Sequence, residues 1–191
     1  FLWIIYVGIT SIEIIALRIA GMETFDSICH GLTTMPTGGF STKNASLAHY
    51  DNPMIHYIII FFMFLAGINF SLHFHAMSGS IKTYFRDTEF MVYFLIIISI
   101  SSIIFFSLSY QSNTFSDLTL RESLFGTIAM LTGTGYVLGD YEIWPVFLQM
   151  ILLTLMFVGG MGGSTTGGMK VIRVLLLVKY AALETRRMLH S

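Results

Sequence analysis

Residues 159–170 read Gly-Gly-Met-Gly-Gly-Ser-Thr-Thr-Gly-Gly-Met-Lys and interrupt what would otherwise be one apolar helix long enough to cross a membrane. Glycine weakens a helix by about 1 kcal/mol relative to alanine, so the six glycines of this stretch predict that the helix unwinds here. Backbone N–H and C=O groups freed in this way cannot face lipid, where nothing satisfies them. A non-helical break at membrane depth is therefore buried in protein or lines a water-filled cavity. The break predicts a loop beneath an ion pathway. Two further glycine-bearing stretches, residues 37–40 and 133–136, are expected to form part of a filter above it.

The membrane setting follows from composition. Of 191 residues, 54% are hydrophobic and 11% are charged, whereas soluble domains carry about a quarter charged residues. No soluble core hides so much apolar surface, and the chain reads as an all-α membrane protein in contact with the lipid bilayer. A net charge of −1 points to no partner class and gives no case for nucleic acid. The single cysteine, Cys29, rules out an intrachain disulfide and reads as a small packing residue. Phe1 opens directly into an apolar helix with no basic leader, so no signal peptide is expected, and the numbering is expected to begin inside a longer protein.

In chain order, residues 1–19 are long and apolar enough to span, since a spanning helix needs about 20 residues. Arg18 can snorkel to the interface. Glu13 lies deeper, either as a functional acid or as a bundle-facing carboxylate bonded to a neighbour. Residues 23–35 predict a short helix of about 20 Å, too short for the ~30 Å hydrocarbon core. Pro36 stops it. After residues 37–40 and a polar loop, Pro53 opens a second apolar helix expected to run to Met77. A polar connector, residues 79–89, leads to a third spanning helix over residues 90–110. Thr119 and Glu122 have capping-box spacing and predict the start of a second short helix ending near Leu131. Residues 133–136 follow, then Trp144, Pro145 and a fourth apolar helix, which meets the glycine break and resumes at Lys170. Trp3 and Trp144 are expected in interfacial belts.

The two halves repeat. Gly39-Phe40 aligns with Gly135-Tyr136 at an offset of 96, and Gly67 with Gly160 at an offset of 93. Each unit reads as spanning helix, half-length helix, glycine loop, spanning helix. The units are expected over residues 1–78 and 90–191, with residues 79–89 as a cytoplasmic connector and residues 159–169 as an intramembrane loop. The chain crosses twice between the glycine loops, so the repeats are parallel and both loops open on one side. Seven Lys and Arg residues in the connector and tail, against Arg18, Lys43 and Arg121 elsewhere, place connector and tail in the cytoplasm.

The arrangement suits a cation. A helix C-terminus carries about half a negative charge, and both short helices end just before a glycine loop. Backbone carbonyls can replace a cation's water shell. Gly38, Gly39, Gly133 and Gly135 are expected to adopt the unusual dihedrals that turn successive carbonyls inward. Neither loop holds an acid before its aromatic residue, which favours a monovalent ion. His73 and His75, two residues apart on a helix, share no face for a metal. His49 and His56 read as interfacial packing. Lys170 and Arg173 read as positive-inside anchors, with a direct gating contact with the glycine loop as the lesser alternative. No nucleophile–base pair or metal cluster argues for an enzyme. The alternatives weighed are a sodium-selective transporter of the same architecture and a non-conducting membrane scaffold.

Residues 37–42 (Thr-Gly-Gly-Phe-Ser-Thr) and 134–136 (Thr-Gly-Tyr) resemble filter sequences of the Trk/Ktr/HKT potassium transporter superfamily. Residues 159–173 resemble the intramembrane gating loop of that superfamily, in particular of its bacterial TrkH-type members. The resemblance covers essentially the whole chain. It implies a fold of tandem parallel helix–pore-helix–filter-loop–helix repeats of potassium-channel type, and potassium uptake across a bacterial inner membrane by a multi-pass protein. It implies that carbonyls of Thr37, Gly38, Gly39 and Phe40, and of Gly133, Thr134, Gly135 and Tyr136, line the filter. Potassium, the transported ligand, would be held at Thr37, Gly38, Gly39, Gly133, Thr134 and Gly135, with no covalent cofactor. It implies a gate built from Gly159, Gly160, Gly162, Gly163, Ser164, Thr165, Thr166, Gly167, Gly168 and Lys170. The superfamily uses four repeats around one pore. This chain carries two, resembling the second and third, and lacks the fourth-repeat arginine near the gate. A homodimer of the full-length protein on a cytoplasmic nucleotide-binding ring is also implied.

Overall fold

The computed structural model describes residues 2–77, 79 and 82–189. The apolar opening stretch forms α1 (Leu2–Ile19). A turn at Gly21, in the left-handed region at φ +98°, reverses the chain into α2 (Thr24–Thr34). Its 11 residues rise only about 17 Å, so α2 is half-length as expected.

The helix expected over residues 53–77 is instead two helices, α3 (Pro53–Ala66) and α4 (Phe70–Met77), bent by 100°. The cause is a close approach from further along the chain. A Cβ at Gly67 would lie 2.0 Å from the Tyr93 hydroxyl, so only glycine lets Tyr93 approach there. Asn69 then starts the new helix by accepting the Ser71 N–H at 2.8 Å. His73 Nε2 donates to the Leu65 carbonyl at 3.1 Å, which also accepts the Ile68 N–H at 3.0 Å.

The connector contains a short helix, α5 (Lys82–Arg86), and leads into α6 (Thr88–Ser112), whose N-terminus is capped by Asp87. The second half-length helix, α7 (Asp117–Thr132), starts earlier than the Thr119–Glu122 spacing predicts. Ser116 is the cap, its hydroxyl accepting the Thr119 N–H at 3.1 Å, which leaves Thr119 inside the first turn. Next come α8 (Val146–Phe157) and α9 (Val171–Leu189), separated by the glycine break, with Lys170 still in the loop.

The order helix, half-length helix, glycine loop, helix broken at glycine thus recurs in α1–α4 and α6–α9. The core lies where α3, α6, α7 and α8 meet, around Ile59, Met63, Tyr93, Phe125, Leu131 and Leu148. A smaller cluster of Ile5, Met35, Phe62 and Phe70 joins α1 to α2, α3 and α4. Trp144, expected at an interface, is buried at 6% exposure and packs edge-on against Tyr141 at 4.8 Å. Among the described residues, α1 and α6 are long and apolar enough to cross a membrane, and the bent pair α3–α4 makes a third span if counted as one.

Candidate ion pathway

Both half-length helices end at their glycine loops, and the loops share a backbone pattern. In the first, Thr37 (φ 56°) and Gly39 (φ +67°) are left-handed while the residues between and after them are not. In the second, Gly133 (φ +70°) and Gly135 (φ +74°) repeat the alternation at the 96-residue offset. One expectation is corrected here: the first left-handed position of the first loop is Thr37, not Gly38. Thr37 holds this unfavourable conformation because its N–H donates to the Thr34 carbonyl at 2.9 Å, and Gly38 N–H to the Thr33 carbonyl at 2.8 Å, closing the end of α2.

The two loops meet. A Cβ built on Gly39 would fall 1.7 Å from the Thr134 carbonyl oxygen, so the first loop's glycine makes room for a carbonyl of the second. Tyr136, fully buried, crosses to α2, where its hydroxyl lies 2.7 Å from Thr33 Oγ1 and 3.2 Å from Thr34 Oγ1. Thr33 in turn bonds the Phe40 carbonyl at 2.9 Å. Phe40, the sequence counterpart of Tyr136, has its ring 76% exposed. Above the loops, Leu47 N–H donates to the Val137 carbonyl at 3.0 Å, and Val137 N–H to Ser46 Oγ at 3.2 Å. Both loops therefore open at the same end of the molecule.

Charged groups brace this end. Asp26, buried in the first turn of α2, accepts from Thr42 at 2.7 Å and Tyr50 at 2.8 Å and pairs with Lys43 at 3.0 Å. The Thr42 hydroxyl, then Lys43 and Tyr50, hold its carboxyl down at about 2. A depressed carboxylate stabilises the fold above its ordinary range and loses that contribution only as pH falls through the lowered value, so this brace is intact at neutral pH. Arg121 bonds Asp117 at 2.8 Å and donates to His56 Nδ1 at 2.8 Å. His56, expected in interfacial packing, is thus a buried partner of the second half-length helix. Glu13 faces the bundle, fully buried, beside Thr34, whose hydroxyl donates to the His30 carbonyl at 2.7 Å rather than to the carboxyl, so both carboxyl oxygens lack a partner.

The glycine break is an ordered loop closed on itself. Gly159 N–H donates to the Met169 carbonyl at 2.9 Å, Met169 N–H to the Phe157 carbonyl at 3.0 Å, and Val171 N–H to the Gly160 carbonyl at 3.1 Å. A Cβ at Gly159 would fall 2.0 Å from the Gly167 carbonyl, so the two arms approach only without side chains. Gly163 and Gly168 complete the turns at φ +77° and +69°. Within the loop, Thr166 Oγ1 accepts from Gly160 N–H at 2.9 Å and lies 2.7 Å from Ser164 Oγ.

This loop docks against the break in α3–α4, its counterpart in sequence. Met161 N–H donates to the Gly67 carbonyl at 2.9 Å, and Phe70 N–H to the Gly163 carbonyl at 3.2 Å. Each break satisfies backbone groups that the other exposes. Thr165 ties the loop to the first glycine stretch, residues 37–40. Its hydroxyl donates to the Met35 carbonyl at 2.7 Å, with the Ala66 carbonyl 3.2 Å away, and its own carbonyl lies 3.2 Å from Thr37 Oγ1.

Two charged residues also touch the loop. Lys170 is not simply an interfacial anchor. Its ammonium donates to Thr166 Oγ1 at 2.9 Å, Ser164 Oγ at 3.3 Å and the Thr166 carbonyl. Glu89, from the first turn of α6, accepts from Gly162 N–H at 2.7 Å and Ile172 N–H at 3.0 Å. By sequence position Glu89 ends the polar connector. An acid 73 residues upstream of its partner gives no local signal.

Paired pore loops at the ends of half-length helices, above a helix broken at glycine, define an all-helical membrane protein of the potassium-channel-like pore class. The family model for TrkH, described as a cation transport protein, matches residues 1–190, and the chain belongs to that family. It is 40% identical over 194 aligned positions to the Trk system potassium uptake protein TrkH of Escherichia coli K12, covering 99% of this chain and 40% of that protein. Identity to TrkH of Vibrio parahaemolyticus is 38%, again over 99% of this chain and 40% of the relative. The crystal structure of the potassium transporter TrkH from Vibrio parahaemolyticus superposes with a TM-score of 0.94, covering 99% of this chain and 41% of that one. The chain thus spans about 40% of the length of the relatives it matches.

Proposed function

We propose that this chain supplies two of the pore repeats of a potassium uptake protein, and that carbonyls of residues 37–40 and 133–136 form half of its selectivity filter. One observation carries the reading. The same alternation of left-handed backbone recurs at residues 37 and 39 and at 133 and 135, each time at the C-terminal end of a half-length helix. Each such end presents about half a negative charge to whatever the loop holds. Carbonyls from two loops supply half a ring, and the exposed ring of Phe40 is where a further repeat would host it as α2 hosts Tyr136. The relatives named as potassium uptake proteins support potassium as cargo. They also support a location in the bacterial inner membrane.

Residues 159–170 act as the gate in this proposal. The loop lies directly against Met35 and Thr37 at the foot of the first filter stretch. A loop so placed blocks passage until it moves. By family resemblance, the full-length protein works as a homodimer on a cytoplasmic nucleotide-binding ring, which co-purification with tagged full-length protein tests.

The central experiment is flux through the reconstituted full-length protein. Potassium or rubidium is expected to pass in preference to sodium. Equal rates, or a preference for sodium, refute the potassium reading, and no flux of either ion under any condition favours a scaffold.

A further inference from the structure

The gate proposal leaves open what holds the loop shut. Its ties to Met35, Ala66 and Thr37 run to the filter side, and its ties to Gly67 and Phe70 run to the bent helix. Among the described residues, the remaining hydrogen-bonded tie from outside the loop is Glu89. One oxygen of its carboxylate receives two backbone N–H groups, Gly162 from the middle of the loop and Ile172 from the first turn of α9.

Three features make this contact unlike the others. Both its bonds are charge-assisted, each roughly twice as strong as a neutral hydrogen bond. The carboxylate faces the N-terminus of α9, where the helix dipole favours negative charge. Glu89 also sits two residues after Asp87, the cap of α6, and three after the last residue of α5. Whatever displaces the connector displaces this carboxylate. Lys170, at the loop's end, places its ammonium on Ser164 and Thr166. The loop thus carries two charged contacts, a negative one from α6 and a positive one from its own last residue.

We propose that Glu89 is the positioning residue that keeps the glycine loop closed, and that movement of the α5 connector reaches the gate through it. The inference rests on the gating role assigned to residues 159–170. When the start of α6 shifts, Gly162 and Ile172 lose their shared acceptor together. The loop arm and the head of α9 are then released as one unit, while the Thr165 contacts at the filter persist. Opening by this route alters how often the pathway is clear and leaves the filter unchanged.

The test uses full-length protein in liposomes, with potassium and sodium flux measured for wild type, Glu89→Gln, Glu89→Ala and a deletion of residues 164–166. Basal potassium flux is expected to rise about tenfold in Glu89→Ala, the population shift that ~1.4 kcal/mol gives. Glu89→Gln, which keeps an acceptor but not the charge, should fall between it and wild type. The potassium-to-sodium ratio should stay at the wild-type value in both. A purely structural role predicts the reverse, with flux falling in proportion to folded protein. Hydrogen exchange across residues 159–172 is the second readout, and Glu89→Gln should speed exchange at Gly162 and Ile172 while Met161 stays protected. If the deletion raises flux and neither Glu89 variant changes flux or exchange, the clasp is overturned and the gate stands. If the deletion leaves flux unaltered as well, the gate reading fails and the clasp falls with it.

Discussion

Gly39 offers the sharpest test of the filter, because its two neighbouring glycines are controls. Any side chain at Gly39 places a Cβ 1.7 Å from the Thr134 carbonyl oxygen and 2.8 Å from its carbon. Protein Cβ contacts do not fall below 3.0 Å, so Thr134 has to retreat by about 1.3 Å. Retreat is opposed by the bonds holding the second loop, Gly135 N–H on the Ala129 carbonyl at 3.1 Å and Tyr136 on Thr33 at 2.7 Å. The left-handed backbone adds about 1–2 kcal/mol for a non-glycine residue. A filter that discriminates two alkali ions by carbonyl placement cannot absorb that displacement evenly for both. Gly39→Ser or Gly39→Ala is expected to reduce the potassium-to-sodium flux ratio at least tenfold, the equivalent of ~1.4 kcal/mol. Gly38 is not left-handed, and the atoms nearest a Cβ there are 3.6 Å away. Gly38→Ala should move the ratio by less than about threefold, below 1 kcal/mol. Gly135 is left-handed with nothing within 4 Å of a Cβ, so Gly135→Ala should fall between. The assay is paired rubidium and sodium uptake into liposomes at matched protein content. An unchanged ratio in folded Gly39→Ala, or an effect of Gly38→Ala equal to it, would refute the steric argument.

Tyr136→Phe deletes the hydroxyl that reaches Thr33 and Thr34. It should cost about 1–2 kcal/mol of stability, read as a lower melting temperature, and no loss would mean the two loops are held together otherwise. Thr165→Val removes the donor to the Met35 and Ala66 carbonyls, an expected ~1–3 kcal/mol loss. Because Thr165 also abuts Thr37, both flux and the ion ratio should change, and a change in flux alone would detach the loop from the filter. Glu13→Leu replaces a buried carboxyl whose oxygens have no hydrogen-bond partner, so melting should be unchanged or raised. A drop of more than ~2 kcal/mol would reveal an interaction that neither oxygen displays here.

The fold was legible where the sequence carries a periodic or compositional signal. The apolar runs of α1 and α6, the short reach of α2 and the glycine break before α9 follow from length and residue type. Other features turned on contacts distant in sequence. The 100° bend after Ala66 has one glycine behind it, and its cause is Tyr93 crossing from α6. Ser116 displaced Thr119 as the cap because either residue can accept an N–H, and a spacing rule cannot rank them. Thr37 took a left-handed conformation that sequence logic reserves for Gly38, since the carbonyls at the end of α2 demand donors from residues 37 and 38. The site shows the same division. The eight residues of the two loops stand out as motifs, whereas the meeting of Gly39 with Thr134, the clasp of Glu89 and the burial of Trp144 are products of packing.

The two glycine breaks show why such features come in pairs. A helix broken at membrane depth exposes carbonyls on one side and N–H groups on the other, and lipid satisfies neither. One break alone would need water or a polar wall. Two breaks at corresponding positions of parallel repeats can be brought face to face, and here the Gly67 carbonyl takes Met161 N–H while Phe70 N–H takes the Gly163 carbonyl. The repeat is therefore more than a means of duplicating a filter loop. It supplies each break with a complementary partner, so that the Gly67 and Gly163 carbonyls and the Met161 and Phe70 N–H groups are satisfied without water. The same pairing explains the unequal lengths. The short break at residues 67–69 needs only a cap, Asn69, and a docking edge. The long break at residues 158–170 carries the docking edge, the contact with Thr37 and the two charged clasps. Asymmetry between two repeats of one pattern is what turns one of the two breaks into a candidate gate and leaves the other as its seat.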